Sequence, residues 1–475
     1  MPAIGDDVFF ATIPELNARL KSKEFSAEDL ARAFAARLQQ LGPRYNALAL
    51  PLPLEAQRKA REVDKELKRE RFRGPLQGIP YGVKDLFSYA GQPTTWGAKP
   101  YAGQVFDYNA TVVDKLDAVG AVITGKLSTV ELAGGGGYRF ASASLTGPGL
   151  NPWDRTRWSG GSSSGPAAAV AAGLCPFAIG SETSGSIVTP ASFCGVTALR
   201  PTYGLVSRHG AMALSWTLDK VGPFAHTAED CGLILQVIAG KDAKDPGSAG
   251  KSFYYTPQYA RPLKELKIGY APVDFTDRAE PSARSAFATA LDVIKATGAQ
   301  LVETKLPQFP YGPVLSLILN AEMGSIFEPL ITSGKVDELA DKPQIAGLKA
   351  SLDVPAKDYL KAMRIRRLIQ SEFSRLFGEI DLLLTTGRPG PAPRADQSLD
   401  APGFVPPANA APGFQGIVQA GNLAGLPALI LPCGFAENLP LALQVIGVPF
   451  SENALLAVGR DFQSRTDWHK RRPPV

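Results

Sequence analysis

Histidine and cysteine are both scarce in this sequence. Its 475 residues include three histidines, at positions 209, 226 and 469, and four cysteines. None of the histidines lies in a turn rich in serine and glycine, so nucleophilic catalysis by a Ser–His pair has little support. The cysteines are widely spaced in apolar contexts, with no C-x-x-C pair and no His/Cys cluster. We therefore expect buried, reduced thiols, and neither a metal site nor a cofactor.

Long apolar runs and a strong charge imbalance are also missing. No run reaches the roughly 18 apolar residues of a membrane span, and the N-terminus has no apolar signal core. The formal net charge is only +5, which gives no case for nucleic-acid binding by itself. The basic residues of 54–71 alternate with acidic ones, which is more typical of a solvated helix face than of a basic binding patch. Composition thus predicts a cytoplasmic protein that binds neither membranes nor nucleic acid.

The most unusual stretch of the chain covers residues 158–190. Two turns rich in glycine and serine, 160–165 and 180–186, flank a run of small residues over 167–173. Glycine tolerates positive φ and close backbone contact, and alanine costs little in a helix. We expect a short buried helix that directs serines of both turns to one point.

Two other interpretations of this stretch have less support. A flexible Gly/Ser linker would not carry apolar residues between its polar turns. Residues 161–165 also match the G-x-S-x-G nucleophile elbow, which needs a preceding strand and a late histidine. Residues 155–159 make a poor buried strand, however, and the late His469 lies in a basic tail.

Three motifs in order resemble those of the amidase signature family. The turn GGSSSG at 160–165 precedes the alanine run, and GSETSGSI at 180–187 follows it, with Pro190 just beyond. Upstream, the sequence GIPYGVKD at 78–85 is similar to the family's lysine motif. Three ordered motifs are a far more specific signal than any one of them.

The resemblance covers most of the chain. Residues 215–223 (SWTLDKVGP) and 422–428 (NLAGLPA) also look like family segments, so the similarity extends over 10–460 and is strongest over 74–224. It implies an α/β fold, with a single large α/β/α domain around a central twisted mixed sheet. Alternating helix and strand signals along the chain favour the same class.

The resemblance also implies which residues form the site. Ser186 is similar to the family nucleophile, Ser162 to a bridging serine at a cis peptide bond, and Lys84 to the base that takes the proton through Ser162. The resemblance places the oxyanion hole at the backbone N–H groups of Thr183, Ser184, Gly185 and Ser186. It places substrate contacts at Ser163, Gly134, Gly135, Gly136 and Gly137, although a plain glycine loop explains the last four equally well. A lysine acts as a base only when neutral, and burial favours the neutral form.

Three positions depart from the family pattern. Glu182 stands where aspartate is commoner, Ser184 where glycine is commoner, and Val188 where arginine is commoner. The three residues implied in the chemistry are unchanged. The missing arginine removes the basis for carrying over the substrate of better-known branches, and the motif is similar to a branch that includes peptide-amidase-like enzymes.

The rest of the chain suggests how the domain is arranged. Within one domain of residues 1–475 we expect an N-terminal helical part at about 8–72, a signature core at about 74–240 and a C-terminal part at about 260–460. Residues 387–413 are rich in proline, glycine and alanine and lack periodicity. So long an irregular stretch is unusual as a simple connection, which suggests a mobile lid.

Local signals predict individual elements. Ser26 and Asp29 have the spacing of a capping box, so a helix should begin there and end near Gly42. Residues 111–118 predict a helix, and 121–124 predict the strand after it.

The implied activity is hydrolysis of carboxylic amide C–N bonds through an acyl-enzyme, with esters and carbamates (urethanes) as further candidates. The alternative is the A-type subunit of a glutamine-dependent aminoacyl-tRNA amidotransferase, which would require partner subunits. A catalytically dead binding module is disfavoured because Lys84, Ser162 and Ser186 are all present. As partners we expect a small-molecule amide, ester or carbamate, with no nucleic acid and no membrane, and a monomer or homodimer.

Overall fold

The computed structural model describes residues 4–401 and 403–474. Its α-helices are α1 (Ile13–Lys21), α2 (Ala27–Leu41), α3 (Pro53–Leu67), α4 (Thr111–Ala118), α5 (Ser164–Ala171), α6 (Val188–Cys194), α7 (Ala228–Ile238), α8 (Arg284–Ala296), α9 (Tyr311–Thr332), α10 (Lys342–Ala350), α11 (Ala356–Leu376), α12 (Ile417–Ala424) and α13 (Glu452–Ser464). Its strands are β1 (Leu48–Pro51), β2 (Pro80–Lys84), β3 (Val122–Leu127), β4 (Leu150–Asn151), β5 (Asp154–Trp158), β6 (Phe177–Glu182), β7 (Thr197–Arg200), β8 (Lys220–Ala225), β9 (Lys267–Tyr270), β10 (Gln300–Glu303), β11 (Leu382–Thr386), β12 (Ala428–Ala436) and β13 (Leu439–Gly447).

Eleven of these strands form one mixed sheet in the order β1-β3-β2-β6-β8-β7-β12-β13-β11-β9-β10. Strand β2 pairs in parallel with both β3 and β6, whereas β8 pairs antiparallel with β6 and β7. The predicted α/β fold around a central mixed sheet is confirmed. The single-domain organisation stays a prediction, although this sheet takes strands from the N-terminal, core and C-terminal parts.

Helices cover both faces of the sheet, and this burial of apolar surface provides most of the driving force for the fold. One face packs against α2, α3, α7, α8 and α13 through side chains such as Phe34, Ile234 and Leu456. The opposite face packs against α5 and α6, with α9, α11 and α12 further along the sheet. The small side chains of α5 are all buried, so this helix lies close to β6 and β2.

The locally predicted helices are confirmed. The side chain of Ser26 accepts a hydrogen bond from Asp29 N at 3.0 Å, and the Asp29 carboxylate accepts one from Ser26 N at 3.3 Å. Helix α2 therefore begins after a complete capping box and ends at Leu41, next to Gly42. Helix α4 has the predicted bounds, and strand β3 follows it.

The segment 387–413 connects β11 to the turn before α12. Within its described residues, 387–401 and 403–413, there is neither a helix nor a strand. Isolated bridges join it to β5, between Arg394 and Arg157, and to a loop, between Ser398 and Phe140. Arg388, Pro393 and Leu399 of the segment line the same cavity as Gly161, Ser184 and Ser186. Its opening and closing as a lid stays a prediction.

Helix α9 is long and apolar enough to span a membrane by length and composition alone, and half of its apolar window is buried. Its Glu322 is buried and accepts hydrogen bonds from Ser215 Oγ at 2.5 Å, Thr217 Oγ1 at 2.8 Å and Tyr359 Oη at 3.0 Å. These contacts join α9 to α11 and to the loop before β8.

Candidate active site

Lys84 is the last residue of β2, and its side chain is fully buried. Its Nζ atom lies 2.8 Å from Ser162 Oγ and 3.1 Å from Ser181 Oγ. Burial lowers the pKa of Lys84 to about 7, although the negative charges of Asp219 and Glu182 act in the opposite direction. A large share of the amine is therefore neutral near neutral pH and able to accept a proton.

The first serine turn joins β5 to α5. Its Gly161–Ser162 peptide bond is cis, and the Ser162 hydroxyl contacts Lys84. Ser163 is fully buried; its Oγ donates a hydrogen bond to Ser181 O at 3.1 Å and accepts one from Ser181 N at 3.4 Å. Ser163 therefore ties the two turns together and does not line the cavity beside Ser186, which differs from the substrate contact expected of it.

The second serine turn joins β6 to α6. Gly185 has a φ of +86°, in the left-handed region that favours glycine. Ser186 is 8% exposed and lines a cavity of about 320 Å³. Within the described part of the chain, the N–H groups of Ser184, Gly185 and Ser186 donate to no protein acceptor, and no hydrogen bond joins Ser186 to Ser162. The turn thus presents several unused donors next to a hydroxyl that is open to the cavity.

Glu182, the last residue of β6, holds this turn in place through its buried carboxylate. Its fully buried carboxylate accepts hydrogen bonds from Ile187 N at 2.8 Å and Val188 N at 3.0 Å. It also contacts Arg200 Nη1 and Asn422 Nδ2, each at 2.7 Å. Burial alone would raise the pKa of Glu182, but the charge and hydrogen bond of Arg200 outweigh it and lower the pKa to about 2. The carboxylate is therefore ionised and orders the turn.

Asp219, the residue just before β8, supports the same turn. Its carboxylate accepts a hydrogen bond from Thr183 Oγ1 at 2.6 Å, and from Leu214 N and Ser215 N at 2.9 Å each. Burial raises the pKa of Asp219, and the hydrogen bond from Thr183 opposes that rise. The acidic residue of the segment 215–223 thus supports the second serine turn.

The structure brings only part of the predicted glycine loop to the cavity. Gly134 lines it, whereas Gly135, Gly136 and Gly137 do not. A Cβ atom at Gly136 would lie 2.3 Å from the carbonyl oxygen of Gln344, so this glycine is required for packing against α10. The plain-loop explanation therefore fits three of the four glycines.

Several residues of the cavity escaped the sequence reasoning. Its walls include Tyr138, Trp158 and Phe193, with the Trp158 ring lying against each of the other two. Arg388 of the segment 387–413 lines it too. Tyr138 lies in a loop, Trp158 ends β5 and Phe193 lies in α6, and no shared sequence period marks these three residues as one wall. Arg388 was detectable only as an isolated basic residue in a proline-rich stretch.

Known proteins are similar to this chain along nearly its full length. The A-type subunit of glutamyl-tRNA(Gln) amidotransferase from Carboxydothermus hydrogenoformans is 37% identical, over 99% of this chain and 100% of that protein. The solved peptide amidase of Stenotrophomonas maltophilia superposes with a TM-score of 0.83 at 29% identity, covering 98% of each chain. The corresponding glutamyl-tRNA(Gln) amidotransferase chain of Thermotoga maritima superposes with a TM-score of 0.79 at 28% identity, covering 98% of this chain and 97% of that one.

These relatives overturn one prediction. The expectation of a small-molecule substrate with no nucleic acid, for a monomer or homodimer, is wrong in the light of full-length relatives named as subunits of an amidotransferase for tRNA(Gln). The physical reason is that net charge averages over the whole chain. A mild average charge carries no information on a local contact surface or on what a partner protein binds.

The family model described as "Amidase" matches residues 29–456. This range contains the lysine motif, both serine turns and the segment 422–428 that gave the resemblance in the sequence. The solved structures that superpose on the chain include a peptide amidase. The chain therefore belongs to the amidase family, whose members carry the amidase signature.

Proposed function

We propose that the chain cleaves an amide C–N bond through an acyl-enzyme on Ser186, as the A-type subunit of a glutamine-dependent aminoacyl-tRNA amidotransferase. The observation that carries the chemistry is the 2.8 Å contact between Lys84 Nζ and Ser162 Oγ beside the Ser186 turn. A buried lysine with a pKa of about 7 is a suitable base for activating a serine.

The reaction begins with a proton relay. Neutral Lys84 accepts the proton of Ser162, which in turn accepts the proton of Ser186, and Ser186 Oγ attacks the amide carbonyl carbon. The oxygen that becomes negative receives hydrogen bonds from the N–H groups of residues 183–186. Losing a single donor of this kind typically costs about 10²- to 10³-fold in rate.

The second half reverses the relay. The C–N bond breaks, and the nitrogen leaves as ammonia with the proton that Lys84 returns through Ser162. A water molecule then attacks the acyl-enzyme, gives its proton to the same relay, and releases the carboxylic acid and free Ser186. Every proton taken from a nucleophile is returned to a leaving group, so the base is regenerated.

The full-length relatives support a role for this chemistry within a multi-subunit amidotransferase. Glutamine is a primary amide, and its hydrolysis yields the ammonia that an amidotransferase transfers. The relatives are named as one subunit of a larger enzyme, and the name of that enzyme includes the tRNA on which it acts. Plain amide hydrolysis without transfer is the second candidate, favoured by the superposition on peptide amidase at a TM-score of 0.83.

The test is a reconstituted glutamyl-tRNA(Gln) amidotransferase in which this chain replaces the A-type component. We expect glutamine-dependent conversion of glutamyl-tRNA(Gln) with the wild-type chain, and none with Ser186→Ala. The matched control is Ser374→Ala, at an exposed serine of α11.

A second assay uses the isolated chain with a primary amide, an anilide, an ester and an aryl carbamate. Turnover of these compounds without any transfer to tRNA in the reconstituted complex would replace the amidotransferase proposal by plain hydrolysis. The order of the four rates would then identify the preferred bond.

A further inference from the structure

Arg388 places a guanidinium group beside the proposed nucleophile turn. It lies two residues after β11, and its Nη2 donates a hydrogen bond to Thr189 Oγ1 in α6. A Cβ atom at Gly185 would lie 3.4 Å from the same Nη2, so the guanidinium reaches the residue next to Ser186. Arg388, Ser184 and Ser186 all line the cavity of about 320 Å³.

This guanidinium has no carboxylate partner. Among the described residues, no Asp or Glu oxygen lies within 4.0 Å of it, since the neighbouring Glu182 is already engaged by Arg200 and Asn422. The Nε atom of Arg388 is buried and forms no hydrogen bond. Burial lowers the pKa of Arg388, which reflects the cost of holding this charge away from water. A bound anion would offset that cost.

A second unpaired group faces the same region from the sheet. Gln444 of β13 is fully buried, and within the described part of the chain both its Nε2 and its Oε1 lack hydrogen-bond partners. It lines a neighbouring cavity of about 390 Å³, which shares Ser184 and Arg388 with the cavity of Ser186. Arg388 thus stands between two cavities, with an unused amide beyond it.

We propose that Arg388 binds a carboxylate carried by the acyl part of the amide substrate, so that the enzyme selects amides of acidic acyl chains. The proposal rests on the function proposed above, because it takes Ser186 as the point of attack. The planar guanidinium suits a carboxylate because it offers parallel N–H donors to both oxygens. Glutamine and monoamides of dicarboxylic acids belong to this substrate class, and plain alkyl amides do not.

The site also explains how selectivity arises without the arginine commonly found after the Ser-Ile pair of the family motif. Val188 occupies that position here, and its side chain is buried in the core around α5 and α6. Arg388 enters from a different segment of the chain and places a positive charge at the same turn. Specificity for the acyl chain would thus come from the segment 387–413.

The test compares glutaramate with pentanamide, two primary amides of which only the first carries a carboxylate. We expect wild type to prefer glutaramate, and Arg388→Gln to lower the ratio of the two kcat/KM values about 10- to 100-fold, as expected for loss of a hydrogen bond to a charged group. Arg388→Lys keeps the charge and should retain part of the preference. Arg394→Gln, at an exposed arginine of the same segment, is the matched control and should keep the wild-type ratio.

A binding measurement covers the case in which neither amide is turned over. Calorimetric titration of Ser186→Ala with glutaramate should show binding that the additional change Arg388→Gln weakens by the same factor. Equal affinity for glutaramate and pentanamide in Ser186→Ala, or an unchanged ratio in Arg388→Gln, would overturn the role of Arg388. Loss of transfer to tRNA with carboxylate preference intact would overturn the amidotransferase proposal alone.

Discussion

The Nζ atom of Lys84 lies 2.8 Å from the Oγ atom of Ser162, a residue 78 positions further along the chain. Both side chains are buried, so charge on either one is poorly screened by water. None of the three histidines, all of which the structure describes, lines the cavity beside Ser186. The amine of Lys84 is in direct hydrogen-bond contact with Ser162, and its protonation should control both activity and stability.

Amide hydrolysis should rise with pH through the region near 7. Burial lowers the pKa of Lys84 to about 7, and only the neutral amine can accept the serine proton. We expect kcat/KM to increase about tenfold per unit below this pKa and to level off above it. Lys84→Met should lose about 10²- to 10⁴-fold in kcat, whereas Lys295→Met, at an exposed lysine, should behave as wild type. A flat wild-type profile across this range would argue against a lysine base.

Lys84→Met should also change how stability depends on pH. The folded pKa of about 7 is below the ordinary value of 10.5, so between these two values the unfolded chain binds more protons than the folded chain. Wild-type stability therefore gains from rising pH in this window. The variant lacks the amine, so the difference between its free energy of unfolding and that of wild type should be most in the variant's favour below pH 7 and shrink towards pH 10. Urea unfolding at several pH values measures this, and a constant difference would contradict the shifted pKa.

Ser162→Ala and Ser186→Ala should differ when treated with a serine-directed phosphonate. Ser186→Ala removes the proposed nucleophile, so mass spectrometry of the intact protein should show no adduct. Ser162→Ala keeps the nucleophile but breaks the path to Lys84, so labelling of Ser186 should continue about 10²- to 10⁴-fold more slowly. The exposed-serine variant Ser374→Ala serves as the control. Wild-type labelling rates in Ser162→Ala would show that Ser186 loses its proton by another path.

Glu182→Gln should destabilise the fold strongly. The change leaves the buried guanidinium of Arg200 without its carboxylate partner at 2.7 Å. Breaking one side of a buried ion pair costs about 3–5 kcal/mol of the free energy of unfolding. Chemical unfolding of Glu62→Gln, which removes an exposed i,i+4 pair with Arg58, provides the comparison, since such pairs contribute about 0.3–0.5 kcal/mol. A loss for Glu182→Gln as small as that of the control would mean that Glu182 does not order the turn.

Elements set by neighbouring residues were predictable. The capping box of Ser26 and Asp29 defines the start of α2 within a few residues, and the small-residue run 167–173 predicted a buried helix because only small side chains permit such close packing. The residues placed near one point by the motifs, Lys84 and Ser162, are in contact in the structure. Their catalytic roles, and that of Ser186, stay predictions until the variants are measured.

Contacts between distant parts of the chain were not predictable. Arg388 meets Thr189 across 199 positions, and its segment has no periodicity that would indicate which side chains face the cavity. The placement of Ser163 is a similar case, because Ser162, Ser163 and Ser164 are alike in sequence and differ only in which way the turn directs them. The hydrogen bonds between Ser163 Oγ and the backbone of Ser181 show that Ser163 joins the two turns.

The α/β class, the family and the residue types available for chemistry follow from the amino-acid sequence, because they depend on local propensity and on ordered motifs. The order of the eleven strands, the burial that lowers the pKa of Lys84 and the approach of Arg388 to the Ser186 turn come from the folded structure. Burial and charge pairing depend on every segment that packs around a group. They are therefore properties of the folded chain, and no local stretch of sequence contains them.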